Sequence, residues 1–150
     1  MKLYLYGHDF KYAAEQMLLT MFPSERPEYP DVPTGGDRVE LRVSDGVKYS
    51  TATCRIYLGG ERFCGTARYA CADMADQIAK NRYLQRIVKL SFYRAAVKAT
   101  GKQPVWGALT GIRPGKLMEQ LMDEGASPQE AVRVFRDTYQ VSPERTQLCM

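Results

Sequence analysis

A chain of 150 residues, 45% hydrophobic and 25% charged, is long enough to bury a core in one domain, or in one domain with a small appendage. No apolar run approaches the roughly 20 residues of a membrane span, and the N-terminus MKLYLYGHDF turns polar too early for a secretory signal, so a cytoplasmic protein with no membrane partner is expected. The formal net charge of +4 is unevenly placed: no acid lies between Asp76 and Glu119, where Lys80, Arg82, Arg86, Lys89, Arg94, Lys98, Lys102, Arg113 and Lys116 fall, and the remaining 12 of 21 cations share the rest of the chain with all 17 acids.

Residues 2–6 alternate polar and apolar as a strand does. Asp9 is the expected cap of a helix over 10–22, in which Tyr12 or Ala13, Met17, Leu18, Met21 and Phe22 recur at three- and four-residue spacing. From Pro23 to Asp37 four prolines and two glycines leave no period intact, which predicts an exposed, mobile connection. Arg38 to Val43 alternates strictly, Asp45-Gly46 supplies a hairpin turn, 47–58 makes a second strand, Gly59-Gly60 the next turn, and 61–69 a third strand. The β-α-β-β-β order predicts an α+β fold, one sheet with an antiparallel meander covered on a single face by helices.

The longest helix is expected over 72–100, acidic at its start (Asp73, Asp76), basic near its end (Lys98) and stopped by Gly101. Its apolar stripe includes Ala75, Ala79, Tyr83, Ile87 and Leu90. Arg82, Arg86 and Lys89 share another face, which Arg94 and Lys98 extend around the flank, and a solvated cationic surface is expected there. Pro114 suits the first turn of a helix running to Glu124 and ended by Gly125. Ser127-Pro128-Gln129-Glu130 reads as a capping box that starts a helix to about Tyr139, and Ser142-Pro143-Glu144 repeats the signal. The pattern divides the chain into an α+β domain over 1–105 and a helical segment over 106–150. The last helix has no stop before Met150, so the chain is expected to be the N-terminal piece of a longer protein.

Cysteines at 54, 64, 71 and 149 have neither CxxC nor CxxxCxxC spacing, which points to reduced, half-buried thiols rather than metal ligands. No metal-binding, cofactor-binding or catalytic residue is assigned in this chain.

The dozen residues 106–117, WGALTGIRPGKL, concentrate three glycines, the only tryptophan and two cations ahead of a helix. A helix beginning near Pro114 directs free N–H groups back toward this loop, where Arg113 offers a bidentate donor and Lys116 a mobile point charge, together a candidate substrate-binding site for an anion. A compact turn into a helix, with Trp106 and Leu109 as core anchors and both cations in water, explains the same residues. The stretch is not a P-loop: Gly115-Lys116-Leu117 follows Gly111 one residue too soon and lacks the hydroxyl.

Leu109-Thr110-Gly111-Ile112-Arg113-Pro114 with Lys116 closely resembles the LTGIRPxKL signature ahead of the catalytic domain in the coproporphyrinogen dehydrogenase branch of radical-SAM, oxygen-independent coproporphyrinogen III oxidase-like proteins. The runs Tyr6-Gly-His-Asp-Phe-Lys-Tyr12 and Val141-Ser-Pro-Glu-Arg145 are similar to the N-terminal region of that family. The resemblance implies a non-catalytic N-terminal accessory domain of a haem-biosynthesis enzyme. Such enzymes oxidatively decarboxylate two propionates of coproporphyrinogen III to vinyl groups, giving protoporphyrinogen IX, with a 4Fe-4S cluster that cleaves S-adenosylmethionine. Their cluster cysteines lie in a CxxxCxxC motif that this chain lacks, so the implied partner is a downstream radical-SAM domain of the same polypeptide, and the porphyrinogen, with four propionates, is a possible ligand of the basic segment. Two alternatives stand beside this: a haem-handling chaperone of the same family, with His8, the sole histidine, as axial ligand, and a nucleic-acid-binding module using the basic helix with Tyr83, Phe92 and Tyr93.

Overall fold

The computed structural model describes residues 1–70, 77–104 and 114–148. The chain divides into two compact units, Met1–Lys102 and Gln103–Met150.

The first unit is α+β, with β1 (Lys2–Tyr6), α1 (Lys11–Met21), β2 (Arg38–Asp45), β3 (Tyr49–Leu58), β4 (Glu61–Ala70) and α2 (Gln77–Thr100) in chain order. The strands lie in the order β1-β2-β3-β4. β2, β3 and β4 form an antiparallel meander, whereas β1 runs parallel to β2, a pairing that needs a long crossover, here the one containing α1. Leu3, Val39, Ile56 and Phe63 stand in one row across the sheet, and Leu5, Leu41, Cys54 and Gly65 in the next on the same face. That face is the core side: Leu3, Val39, Leu41, Cys54 and Ile56 are all buried. α2 packs on β3 and β4, and α1 packs beside α2, with the Phe22 and Phe92 rings 6.5 Å apart. At Gly65 the α2 backbone comes so close that a Cβ there would lie 2.5 Å from the Ala95 nitrogen.

Local geometry departs from the sequence reading in several places. Asp9 does not cap α1. The N-cap position is Phe10, which makes no side-chain cap bond; instead His8 Nδ1 accepts from the Phe10 N–H at 3.1 Å and the Asp9 carbonyl accepts from Lys11 N–H at 3.0 Å. The imidazole stacks on Phe10, 5.3 Å between centroids. Within α1, Ala13 is buried and Tyr12 is exposed. β3 begins at Tyr49 rather than at 47, because Gly46 N–H donates to the Tyr49 carbonyl at 2.8 Å and closes a turn that leaves Val47 98% exposed.

The 23–37 segment is largely exposed, as expected, but it is fastened rather than loose. Leu3 N–H donates to the Glu28 carbonyl at 2.8 Å and Glu28 N–H to the Met1 carbonyl at 3.1 Å, an isolated bridge along the free edge of β1. Tyr29 donates its hydroxyl to Glu15 of α1 at 2.7 Å, and burial with that carboxylate raises the Tyr29 pKa well above its ordinary value. The polar partners sit on other elements, which is why local composition alone predicts a mobile loop.

α2 ends at Gly101, whose φ is 71° and whose N–H reaches the Val97 carbonyl at 2.8 Å. The expected start at 72, Asp73, Ala75 and Asp76 lie outside the described residues, as does the side chain of Ala79. Ile87 and Leu90 are buried as the stripe requires, but Leu84, Val88, Phe92, Tyr93, Ala95 and Ala96 are buried as well. A helix with the sheet on one side and α1 on another has more than one stripe to cover.

The second unit contains α3 (Pro114–Asp123), α4 (Pro128–Arg133), one π-helical turn over Val134–Thr138 that continues α4, and α5 (Pro143–Leu148). α3 ends in a Schellman motif: Gly125 has φ 97°, Ala126 N–H donates to the Leu121 carbonyl at 3.0 Å and Gly125 N–H to that of Met122 at 3.0 Å. Ser127 Oγ accepts from Glu130 N–H at 3.2 Å, which is the serine arm of the capping box. The wider turn after α4 is closed by Tyr139 N–H to the Val134 carbonyl at 3.2 Å. Leu117, Met118, Ala131, Phe135, Tyr139 and Val141 form this unit's core. Among the described residues no helix is long and apolar enough to cross a membrane.

Candidate functional site

Of the WGALTGIRPGKL stretch, Trp106, Leu109 and Arg113 lie outside the described residues, while the backbone from Pro114 onward forms the first turn of α3. Leu117 is 4% exposed in the core of the second unit, and its neighbour Lys116 is exposed, as successive helical positions about 100° apart require. Nothing lies within 4 Å of where a Cβ on Gly115 would sit, so among the described residues no packing contact demands glycine there. Lys116 is thus available to a ligand in water at the start of a helix, and its position relative to Arg113 lies outside the described residues.

The cations of α2 do not form the free flank that periodicity suggests. Arg94 donates from Nη1 to the Thr66 carbonyl at 2.6 Å, and Lys98 donates from Nζ to the Cys64 carbonyl at 2.8 Å. β4 is an edge strand, its outer carbonyls lack a strand partner, and these two side chains supply the donors. Burial lowers the pKa of both Arg94 and Lys89 from their ordinary values. Lys80 pairs with Asp45 at 3.2 Å, and Arg86 lies over the Tyr83 ring at 5.2 Å. The Ser50 hydroxyl and the Lys80 ammonium together hold the Asp45 carboxyl below its usual range. Much of the segment's charge therefore braces the fold.

A second basic surface lies on the side of the sheet opposite the helices. The strand period that turns Val39, Leu41, Cys54 and Ile56 inward turns Arg38, Arg42, Arg55, Arg62 and Arg68 outward. Tyrosines are interleaved: Arg38 stacks on Tyr57 with its guanidinium carbon 3.8 Å from the ring centroid, Arg42 on Tyr6 at 4.7 Å and Arg68 on Tyr49 at 4.5 Å. The carboxylate on this face of β2, β3 and β4 is Glu40, which accepts from Arg38 Nε at 2.9 Å. Tyr6, Glu40, Arg42, Thr53 and Arg55 line a small cavity of about 60 Å³. Sequence reasoning missed this surface although its signal was present: arginine and tyrosine recur at alternate positions in Arg38-Val-Glu-Leu-Arg42 and Arg55-Ile-Tyr57, and the register brings those positions together.

Of the four thiols, Cys54 and Cys64 are among the described residues, and those two do not share a site. Cys54 is paired with Gly65 on the core face, while Cys64, one residue along β4, faces the other way, so the sheet separates the two. Burial pushes the Cys54 thiol well above its usual pKa, the opposite of what a ligating thiolate needs. Cys71 and Cys149 lie outside the described residues. Among the described residues no three His, Cys, Asp or Glu side chains gather into a metal site. Both nitrogens of His8 are engaged: Nδ1 accepts from Phe10 N–H, which leaves Nε2 to donate to the Leu41 carbonyl at 3.1 Å. Burial lowers its pKa, favouring this neutral form and leaving neither nitrogen for a haem iron.

No protein-family model matches the chain, and no curated protein or solved structure is significantly similar to it.

Proposed function

We propose that this chain is the non-catalytic N-terminal accessory region of a cytoplasmic, oxygen-independent coproporphyrinogen III oxidase or dehydrogenase of the radical-SAM class. The observation that carries the reading is the Leu109-Thr110-Gly111-Ile112-Arg113-Pro114 run followed by Lys116, with Lys116 exposed on the first turn of α3. The radical chemistry, the 4Fe-4S cluster and S-adenosylmethionine belong on this reading to a downstream domain of the same polypeptide. This chain supplies cations toward the propionates or toward that domain, and no chemical step passes through its cysteines.

The test uses the longer parent polypeptide. Arg113→Lys keeps the charge but loses the two parallel donors of the guanidinium, and one charge-assisted hydrogen bond is worth roughly 1.5 to 3 kcal/mol, about one to two orders of magnitude in an equilibrium constant. Anaerobic decarboxylation and substrate affinity are measured for Arg113→Lys and Lys116→Ala, with Lys102→Ala as a cation outside the signature. The expected result is a fall at Arg113 with the fold intact and Lys102→Ala silent. A parent sequence without CxxxCxxC, or three variants equal to wild type, would overturn the reading.

A further inference from the structure

We propose that the outward face of β2, β3 and β4, with Tyr6 of β1 beside it, binds a single strand of nucleic acid, with the arginines on phosphates and the arginine–tyrosine stacks receiving bases. The inference goes beyond the coproporphyrinogen reading and does not depend on it.

Charge complementarity comes first. Arg38, Arg42, Arg55, Arg62 and Arg68 share the outward face of β2, β3 and β4 with one carboxylate among the described residues of those strands, Glu40, which pairs with Arg38 and stands opposite Arg55 in the register. Arg42, Arg55, Arg62 and Arg68 have no carboxylate within ion-pairing distance among the described residues. Arg42, Arg55, Arg62 and Arg68 are also exposed. Four guanidinium groups on one side of one sheet repel each other, and a chain of phosphates relieves that repulsion while releasing counterions.

The aromatic spacing narrows the class of polyanion. Tyr6, Tyr57 and Tyr49 lie on β1 and at the two ends of β3, each with a guanidinium against its ring. A guanidinium plane or a tyrosine ring offers a stacking surface to any base, which is how single strands are held without sequence reading. Same-face positions along a strand recur about every 6.6 Å, so the cations and rings form a lattice across β2, β3 and β4 rather than one pocket. The cavity lined by Tyr6, Glu40, Arg42, Thr53 and Arg55, about 60 Å³, is far too small to enclose a tetrapyrrole, which needs a pocket of several hundred Å³. A duplex keeps its bases stacked internally and offers nothing to the rings. An extended strand with separate phosphates and unstacked bases matches both features.

The 150-residue chain is titrated into fluorescein-labelled single-stranded 12-mers, one RNA and one DNA, and into the corresponding duplex, with anisotropy as the readout at several salt concentrations. The expected result is saturable binding of a single strand, weaker by about tenfold or more for the duplex, with log K falling against log salt at about 0.7 per phosphate contacted. Replacing Arg42→Ala and Arg55→Ala together is expected to weaken binding at least about tenfold and to reduce that slope by about 1.4. Tyr49→Leu is expected to weaken binding with the slope unchanged, because stacking releases no counterion. Arg82→Ala, on α2, is expected to bind as wild type. All four side chains are exposed, and circular dichroism melts check that the variants stay folded. No saturable binding of either strand up to about 100 μM, the weak end of non-specific binding, overturns the proposal. So do a duplex bound as well as the strand, a double variant equal to wild type, or a loss at Arg82→Ala in place of the face variants.

Discussion

Gly65 of β4 lies directly beneath Ala95 of α2, so close that a Cβ at position 65 would sit 2.5 Å from the Ala95 backbone nitrogen and 2.9 Å from the Arg94 Cβ. The same contact brings Arg94 and Lys98 within reach of the β4 carbonyls they cap. A glycine is required here by close approach, since its φ is unexceptional.

Gly65→Ala is expected to cost roughly 2 to 3 kcal/mol, because the new methyl meets helix backbone that no rotamer change can move. Urea unfolding followed by circular dichroism would show a lowered midpoint. A midpoint equal to wild type would mean that α2 does not approach the sheet this closely.

The half-buried, neutral His8 makes the first unit sensitive to acid. Burial lowers its pKa below the ordinary 6.5, so below about pH 6.5 the unfolded chain takes up a proton that the native site resists, and stability falls as pH falls toward the native pKa. Above 6.5 both states are neutral and the dependence vanishes. Unfolding midpoints about one pH unit on either side of 6.5 are expected to differ in wild type, and by less in His8→Gln, since the chain has no other histidine.

Ser127→Ala is expected to cost about 1 kcal/mol of local helix stability, because Glu130 N–H loses the hydroxyl that accepts from it and has no intrahelical partner. Hydrogen exchange of the α4 amides would speed up about fivefold. Unchanged exchange there would show that the cap contributes nothing.

Cys54 is fully buried and its thiol is held well above its ordinary pKa. In native buffer an alkylating agent is expected to leave Cys54 unmodified and to label the half-buried Cys64. Peptide mass spectrometry checks the order, and equal labelling of both before unfolding would contradict the sheet packing.

The sequence by itself determined the elements whose cause is local. Gly101 and Gly125 stop helices because a left-handed residue turns the chain out of the helix while its N–H still bonds a carbonyl of the last turn, and both have positive φ. Ser127 starts a helix because its own side chain reaches back to the chain it begins. Alternation placed Val39, Leu41 and Val43 on one side of a strand, and all three are buried. The α+β class followed from the order of such segments. What only the tertiary structure decided depends on partners distant in the chain. At the start of α1 it is the His8 side chain, held by its bond to Leu41, rather than that of Asp9 that accepts a backbone N–H, that of Phe10. The 23–37 segment is held by Leu3, Tyr4 and Glu15, which its own composition does not reveal. Arg94 and Lys98 read as a solvated flank until the edge of β4 supplied acceptors. The arginine–tyrosine face exists because the β1–β4 register aligns strands up to several tens of residues apart, and a one-residue slip would have turned those side chains into the core.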